Sequence, residues 1–426
     1  MAAKAALTPM AYRSCRARDT AAWALLVFIF VVHAPAKARQ AVVKPKAPTA
    51  TVTQPSPEDG LVEAGLLQVY QLMGSGRGRE ALERVEKIVR EHPNFQLAQL
   101  VYGDLLSARM RPVKTLGDVS ADMAVTGAGP LGELREESQK RFKAGLNRPR
   151  PGTVPSQFLE ISQKTRHAIA VDASRSRLYL FENRPTGLTL VADYYTSVGK
   201  AGISKMVQGD QRTPLGVYYI TSHLDAKSLK DFYGSGALPL SYPNMLDAKR
   251  GKTGGGIWLH GTPPSQFSRA PLSTDGCLVM SNPDLDHIIH TVEIGSTPVV
   301  IAPQLHWVDA GSVKAEGQPF QDALQAWRNA KEAGNLDRTL AFYTPDFNSY
   351  GKTLEQWTSV LKAELGNAQS RNIEIKDLSF LRWTDSADTM VVTFGEVLLG
   401  KRTGWTKRQY WTRQSGQWKI FFEGII

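Results

Sequence analysis

Cysteine is nearly missing from this chain: 426 residues contain two, Cys15 and Cys277. Cys15 precedes an amino-terminal apolar run, so everything after that run holds a single thiol and cannot form an internal disulfide. Long apolar stretches are scarce too. The run itself, AAWALLVFIFVVHA at residues 21–34, falls short of the about 20 apolar residues that a bilayer span needs. No Lys/Arg block with interleaved aromatics occurs, which argues against nucleic acid as a partner. The glycine-rich GSGRGRE at residues 74–80 has no strand pattern before it and no Gly-Lys-Ser/Thr after it; it reads as a turn, not a phosphate cradle.

What stands at the amino terminus has a direction. Lys4, Arg13, Arg16 and Arg18 precede the apolar run, and the small residues Ala34, Ala36 and Ala38 close it. That order predicts a secretory signal over residues 1–36, with cleavage favoured over retention as a membrane anchor. In an oxidising compartment a spare thiol is a liability, so Cys277 is either buried and inert or kept for chemistry. The formal net charge of +11 favours a polyanionic neighbour. With export, that neighbour is a wall polymer or a membrane surface.

The length predicts two or three domains. Residues 37–58 are rich in Pro, Ala, Thr and Lys and read as a flexible linker. Residues 59–163 form a helical region and connector. Ala81, Leu82, Val85, Ile88 and Val89 recur at helical spacing, and Pro93 marks a break. One such unit is too short to stack as a tetratricopeptide-like array, so a helical hairpin packed on a neighbour is the better reading. Beyond Met110 the pattern predicts an irregular connector with a short helix near 131–143. From residue 164 to 303 strand signals take over. AIAVDASRSRLYLFEN is two alternating runs around a polar turn, and GGGIWLHG adds a short strand with Trp258 and His260 on one face. Ser281 or Asn282 caps a helix striped by Leu285, Ile288, Ile289 and Val292. Residues 318–426 read as a separate α+β unit: two helices, then three long strands around 371–383, 388–399 and 405–424. Trp405, Trp411 and Trp418 recur through its last strands, and core packing explains them better than sugar stacking.

His260 ends one strand and Cys277 begins another after a loop of Pro, Ser and Arg. A free thiol has a pKa of about 8.5 and needs a neighbouring base or cation to become a nucleophile. Gly276 marks a place where the backbone bends or is closely approached. The amides of Gly276 and Cys277 are candidates to face a developing oxyanion. Nucleophile, base and oxyanion donors together would make an acyl-transfer site. The residues alone leave open that Cys277 is a small buried hydrophobe.

The segments TSVGK, RTPLGVYYI, GIWLHGTP and STDGCLVMSN, within residues 167–303, resemble the L,D-transpeptidase catalytic domain, also called the YkuD domain. The resemblance implies a β-rich domain of mixed strands and short helices that acts on peptidoglycan stem peptides in the periplasm. It makes Cys277 the nucleophile and His260 the base, with the ring oriented by a backbone carbonyl such as that of Gly261. Ser273 and Gly276 match the motif's serine and glycine. Tyr242, in LSYPN, corresponds either to a tyrosine near the oxyanion or to a packed aromatic. The resemblance implies no cofactor and no metal; His287 and His290, one helical turn apart, are better read as an ordinary polar face. Two positions depart from the family pattern: Asp275 where histidine is common, and Val279 where arginine is common. Arg269, Arg212 and Lys252 are the candidates to replace that arginine in substrate binding.

The last unit is similar to the cone-shaped SnoaL-like, or nuclear-transport-factor-like, fold. Such cones hold pockets or form dimers, so a homodimer through this unit is one expectation. The fold class is therefore multidomain: an N-terminal helical segment, a β-rich YkuD-type domain and a C-terminal α+β cone. The expected activity is transfer of a stem peptide from its bond to D-alanine onto an amine, borne by a second stem or a wall-attached protein. Hydrolysis through the same thioester, and a non-catalytic wall-binding scaffold, are the alternatives.

Overall fold

The computed structural model describes residues 60–118, 127–366 and 372–426. The signal over 1–36, the linker over 37–58 and Cys15 lie outside the described residues. Among the described residues no helix is long and apolar enough to cross a membrane.

Four helices open the described chain: α1 (Leu61–Gly74), α2 (Gly78–Glu91), α3 (Gln96–Ser107) and α4 (Ala128–Leu146). Ala81, Val85 and Ile88 recur on one face of α2 and are buried against Leu66 and Val69 of α1 and Leu97, Ala98 and Val101 of α3. The connector holds more helix than its composition suggests. Pro130 stands in the first turn of α4, where its missing N–H has no helical partner to lose, so the helix starts upstream of it. The small core of this layer is completed from the next domain by Phe267, stacked on Phe95 with ring centroids 4.3 Å apart.

The centre of the molecule is a five-stranded sheet in the order Gly187–Tyr195, Arg177–Arg184, His167–Asp172, Pro298–Ala302, Gly216–Tyr219. Its strands are apolar on both faces, which is the pattern of a sheet covered twice. Ile169, Val171, Leu178, Leu180, Val299 and Ile301 face the core that carries the candidate site. Ala168, Ala170, Tyr179, Phe181, Val300 and Ala302 alternate to the other side and meet Leu381, Trp383, Tyr410 and Phe422 of the carboxy-terminal sheet. A smaller sheet lies on the first face, in the order Leu278–Val279, Trp258–His260, Gly236–Pro239, Leu224–Asp225.

The first helix of the carboxy-terminal unit runs Ala310–Glu332, directly after strand Trp307–Asp309. Its sheet contains Ile373–Thr384, Asp388–Leu398, Trp405–Gln414 and Gln417–Ile425. The expected third strand is thus two. Ser415 and Gly416 both adopt positive φ, 49° and 80°, the conformation of a two-residue hairpin turn. Trp411 is buried in this unit and Trp418 packs against its core, whereas Trp405, at the open start of its strand, is 64% exposed and is no core residue. The fifth strand of the sheet comes from the connector: Phe158–Glu160 pairs antiparallel with Ile373–Thr384.

Candidate active site

Parallel pairing of Leu259 with Leu278 and of His260 with Val279 sets the site. In that register Cys277 stands level with Trp258, so Trp258, His260 and Cys277 share one face of the small sheet. Leu259 and Leu278 point the other way into the core and anchor the pair.

His260 is almost fully buried, and its Nδ1 donates to Gly261 O at 2.8 Å. That bond fixes the tautomer and leaves Nε2 as an acceptor. Burial pushes the imidazole pKa down to about 4, against the favourable Gly261 carbonyl, and the nearby Arg269 charge lowers it further. Cys277 is partly exposed, and its thiol donates to Gly256 O at 3.4 Å. Burial around the sulfur raises its pKa; the Trp258 backbone amide opposes the shift, Asp275 adds to it, and Arg269 and Lys205 counter it. Both shifts favour the uncharged forms, a neutral imidazole and a protonated thiol, over an ion pair.

The backbone before the cysteine is tightly held. Gly276 has φ +122°, and a side chain there would stand 2.6 Å from Arg212 O. Thr274 Oγ1 donates to Cys277 O and accepts from Gly276 N–H at 3.1 Å. The Gly276 amide is thus satisfied within the turn rather than free to face an oxyanion, and the positive φ is what the position requires of glycine. Gly261 is held by Asn282, whose Oδ1 accepts from Thr262 N and Ser235 N, both at 3.1 Å. A Cβ on Gly261 would lie 2.0 Å from that same oxygen. The helix cap is Ser281, which leaves the Asn282 amide free for this bracket.

The other candidates divide. Ser273 Oγ donates to Ala270 O at 2.8 Å and lines a cleft beside the site. Arg269 lies on the same cleft wall, close enough for its charge to act on both His260 and Cys277. Arg212 donates to Ile203 O at 3.0 Å and meets the site through its backbone. Lys252 is not available as a substrate ligand: its ammonium is buried in an ion pair with Asp247 Oδ1 at 2.7 Å. Tyr242 packs in the core with its hydroxyl donating to Thr253 O at 3.1 Å. Val279 is buried, and Asp275 pairs with Lys200 at 2.8 Å on the surface. His287 bonds Tyr194 and His290 bonds Asp286 O. Among the described residues no group of three or more His, Cys, Asp or Glu side chains is placed to hold a metal ion.

Sequence reasoning passed over the aromatic wall. Tyr233 lies edge-on to the His260 ring at 5.0 Å and beside Trp258 at 5.0 Å, while Phe232 lies 5.9 Å from His260. Two adjacent aromatics before a glycine, in DFYG, are the only local sign of it.

Residues 166–301 match the family model of the L,D-transpeptidase catalytic domain, YkuD. This part of the chain is a YkuD-type L,D-transpeptidase catalytic domain. Residues 319–424 match the Cds6 C-terminal NTF2-like domain, which establishes the cone. Among solved structures, Bd1075 of Bdellovibrio bacteriovorus aligns with a TM-score of 0.55 and 23% identity, covering 64% of this chain and 98% of that one. The helical cell shape determining protein Pgp2 of Campylobacter jejuni aligns with a TM-score of 0.50 and 21% identity, covering 63% of this chain and 95% of that one. At these identities the likeness is one of fold. No curated protein matches the chain.

Proposed function

We propose that this L,D-transpeptidase domain is an exported, cysteine-dependent acyltransferase working on peptidoglycan stem peptides. The observation that carries the reading is the shared sheet face of His260 and Cys277, with Nδ1 committed to Gly261 O and Nε2 left to accept a proton. In the first half-reaction Cys277 Sγ attacks the carbonyl of diaminopimelate that is bonded to D-alanine. The thiol proton passes to His260 Nε2 and then to the leaving amine, the C–N bond breaks, and a thioester forms. In the second, an acceptor amine attacks the thioester, loses a proton to His260, and the new amide leaves Cys277 as the thiol.

The neutral resting pair supports general-base attack, with proton transfer coupled to C–S bond formation. An imidazole whose pKa is held down stays unprotonated and ready to accept at neutral pH. Incubating the protein with a disaccharide-tetrapeptide and reading products by mass spectrometry tests the reading. Cross-linked dimer together with a thioester on Cys277 supports transfer, and tripeptide alone turns the enzyme into a hydrolase. The second reading draws its support from Val279: the position where the family pattern has arginine is buried and apolar here. A chain that forms no thioester with any stem peptide would be a wall-binding scaffold.

A further inference from the structure

The segment between His260 and Cys277 does not stand alone. Phe267 is buried among the helices, Asn94 Nδ2 donates to Pro264 O at 3.0 Å, Phe267 N donates to Asn94 O at 3.1 Å, and Ser268 Oγ donates to Glu137 of α4 at 2.7 Å. Between α4 and this segment lies a cleft of about 410 Å³ whose walls include Glu133, Leu134, Phe232, Arg269 and Ser273. It opens beside the aromatic wall that touches His260.

Arg269 is the unusual group in that cleft. Its backbone is pinned, because Tyr195 Oη and Ser197 Oγ both donate to its carbonyl, at 2.8 and 3.0 Å. Its guanidinium lies over the Phe232 ring at 4.3 Å, and its Nε is buried without a hydrogen-bond partner. The buried arginines nearby are each matched by carboxylates: Arg141 by Glu63 and Glu137, Arg177 by Glu63 and Asp193. Among the described residues Arg269 has no such partner. A planar donor fork, desolvated on one side by an aromatic ring and lacking an anion, is built to receive one. Glu133, on the opposite wall, is exposed and also lacks an ion-pair partner among the described residues.

We propose that Arg269, held on Phe232, binds the free side-chain carboxylate of the stem peptide's diaminopimelate, with Glu133 facing the ammonium on the same carbon. This rests on the stem-peptide reading of the Cys277 site and names what that site selects: a free α-amino-acid head carried by the acyl donor. The terminal D-alanine carboxylate fits less well, because its nitrogen is tied up in the scissile amide and offers Glu133 no charge. Arg269 thereby takes on, from the other side of the loop, a cationic role that Val279 cannot fill. It is a specificity-determining residue; the bonds that break and form remain those at Cys277.

The test is a cycle between enzyme and substrate. Thioester formation is timed with the full chain and its Arg269→Gln variant on three tetrapeptides: one unmodified, one with the diaminopimelate side-chain carboxylate amidated, and one with the D-alanine carboxylate amidated. The expected result is that side-chain amidation slows the unmodified enzyme roughly 10- to 100-fold in kcat/KM, while Arg269→Gln treats that substrate and the free acid alike. The ratio cancels any general effect of the substitution on thiol reactivity. Arg269→Lys, which keeps the charge but not the fork, is expected to recover part of the discrimination, and it serves in its own right should the glutamine variant not fold. Discrimination that persists in the variants, or that follows the D-alanine carboxylate, overturns the assignment and leaves the Cys277 chemistry standing. An unmodified enzyme that forms no thioester with any of the three overturns both.

Discussion

Two sets of ionisable side chains are buried in this molecule, and they end in opposite states. Where the helical layer meets the central sheet, Glu63 accepts from Arg177 at 2.8 Å and from Arg141 at 2.9 Å, and Arg177 also reaches Asp193 at 2.9 Å. Burial alone would push the Glu63 carboxyl up, yet the Arg177 and Arg141 charges bring it net below the ordinary range. At the candidate site His260 and Cys277 are desolvated with no counter-charge of that kind, and each moves toward its neutral form. Similar burial thus fixes charge in one place and removes it in the other. What decides is whether a partner arrives with the group. The charged set lies where the helical layer meets the central sheet, and the neutral set lies at the candidate site.

The comparison can be broken at either end. The largest effect is expected from Cys277→Ala, which should reduce thioester formation and product to background while leaving thermal unfolding nearly unchanged. Retained turnover in a mass-spectrometric assay would remove this cysteine from the mechanism. Next, Arg177→Met removes one of the two arginines on Glu63 and the ion pair to Asp193, and should destabilise the protein by about 3–5 kcal/mol in denaturant titration. A loss under about 1 kcal/mol would mean that water reaches those carboxylates. Gly276→Ala should cost about 1–3 kcal/mol through its left-handed backbone, and should slow alkylation of Cys277 by displacing the turn against Arg212 O.

Acid titration sharpens the contrast further. The folded pKa of His260, about 4, lies below its unfolded value of 6.5, so below pH 6.5 the unfolded chain binds the proton first. The stability from keeping this ring neutral is whole above about 6.5 and is lost as pH falls toward about 4. Glu423 of the cone, buried against Lys407 at 3.0 Å, behaves differently. Its carboxyl is pushed up by burial but held net down to about 2 by Lys407 and Lys331, so its contribution fades only between about 4.5 and 2. Unfolding free energy measured against pH, with His260→Ala as the reference, should lose the upper window and keep the lower. Alkylation of Cys277 by iodoacetamide should rise through a midpoint above that of an unburied thiol, because burial raises its pKa. The smallest effect is expected at Lys200→Ala: its exposed pair with Asp275 should shift stability by less than about 0.5 kcal/mol.

The sequence carried the site unevenly. His260 and Cys277 could be found because each sits in a local motif, and the strand ahead of His260 shows its alternation within a few residues. The Gly261 carbonyl was named from sequence as the group that orients His260, but the close packing that both Gly261 and Gly276 require was not legible. Gly261 makes room for Asn282, one of the two cap candidates in the sequence, and the Gly276 amide is spent on Thr274. Arg269 was one cation among three; what distinguishes it is a missing partner, and no local pattern displays an absence in space. The charge network was illegible for a related reason. Glu63, Glu137, Arg141, Arg177 and Asp193 come from different elements and meet only when the helical layer docks. The helical, β-rich and α+β character of successive segments was legible from their apolar spacing, whereas strand Phe158–Glu160 was not, because its partner lies in the far carboxy-terminal sheet.

That borrowed strand ties the catalytic sheet and the cone together at two separate seams. The polypeptide crosses from one sheet to the other between residues 160 and 167, and again between 302 and 310. A protease that nicked the second crossing would therefore not release the cone, since Phe158 would still be laced to Leu381 and buried in the layer both sheets share. Deleting the cone outright would bare one side of the central sheet and leave Phe158–Glu160 with no neighbour. The two parts should therefore melt as one body.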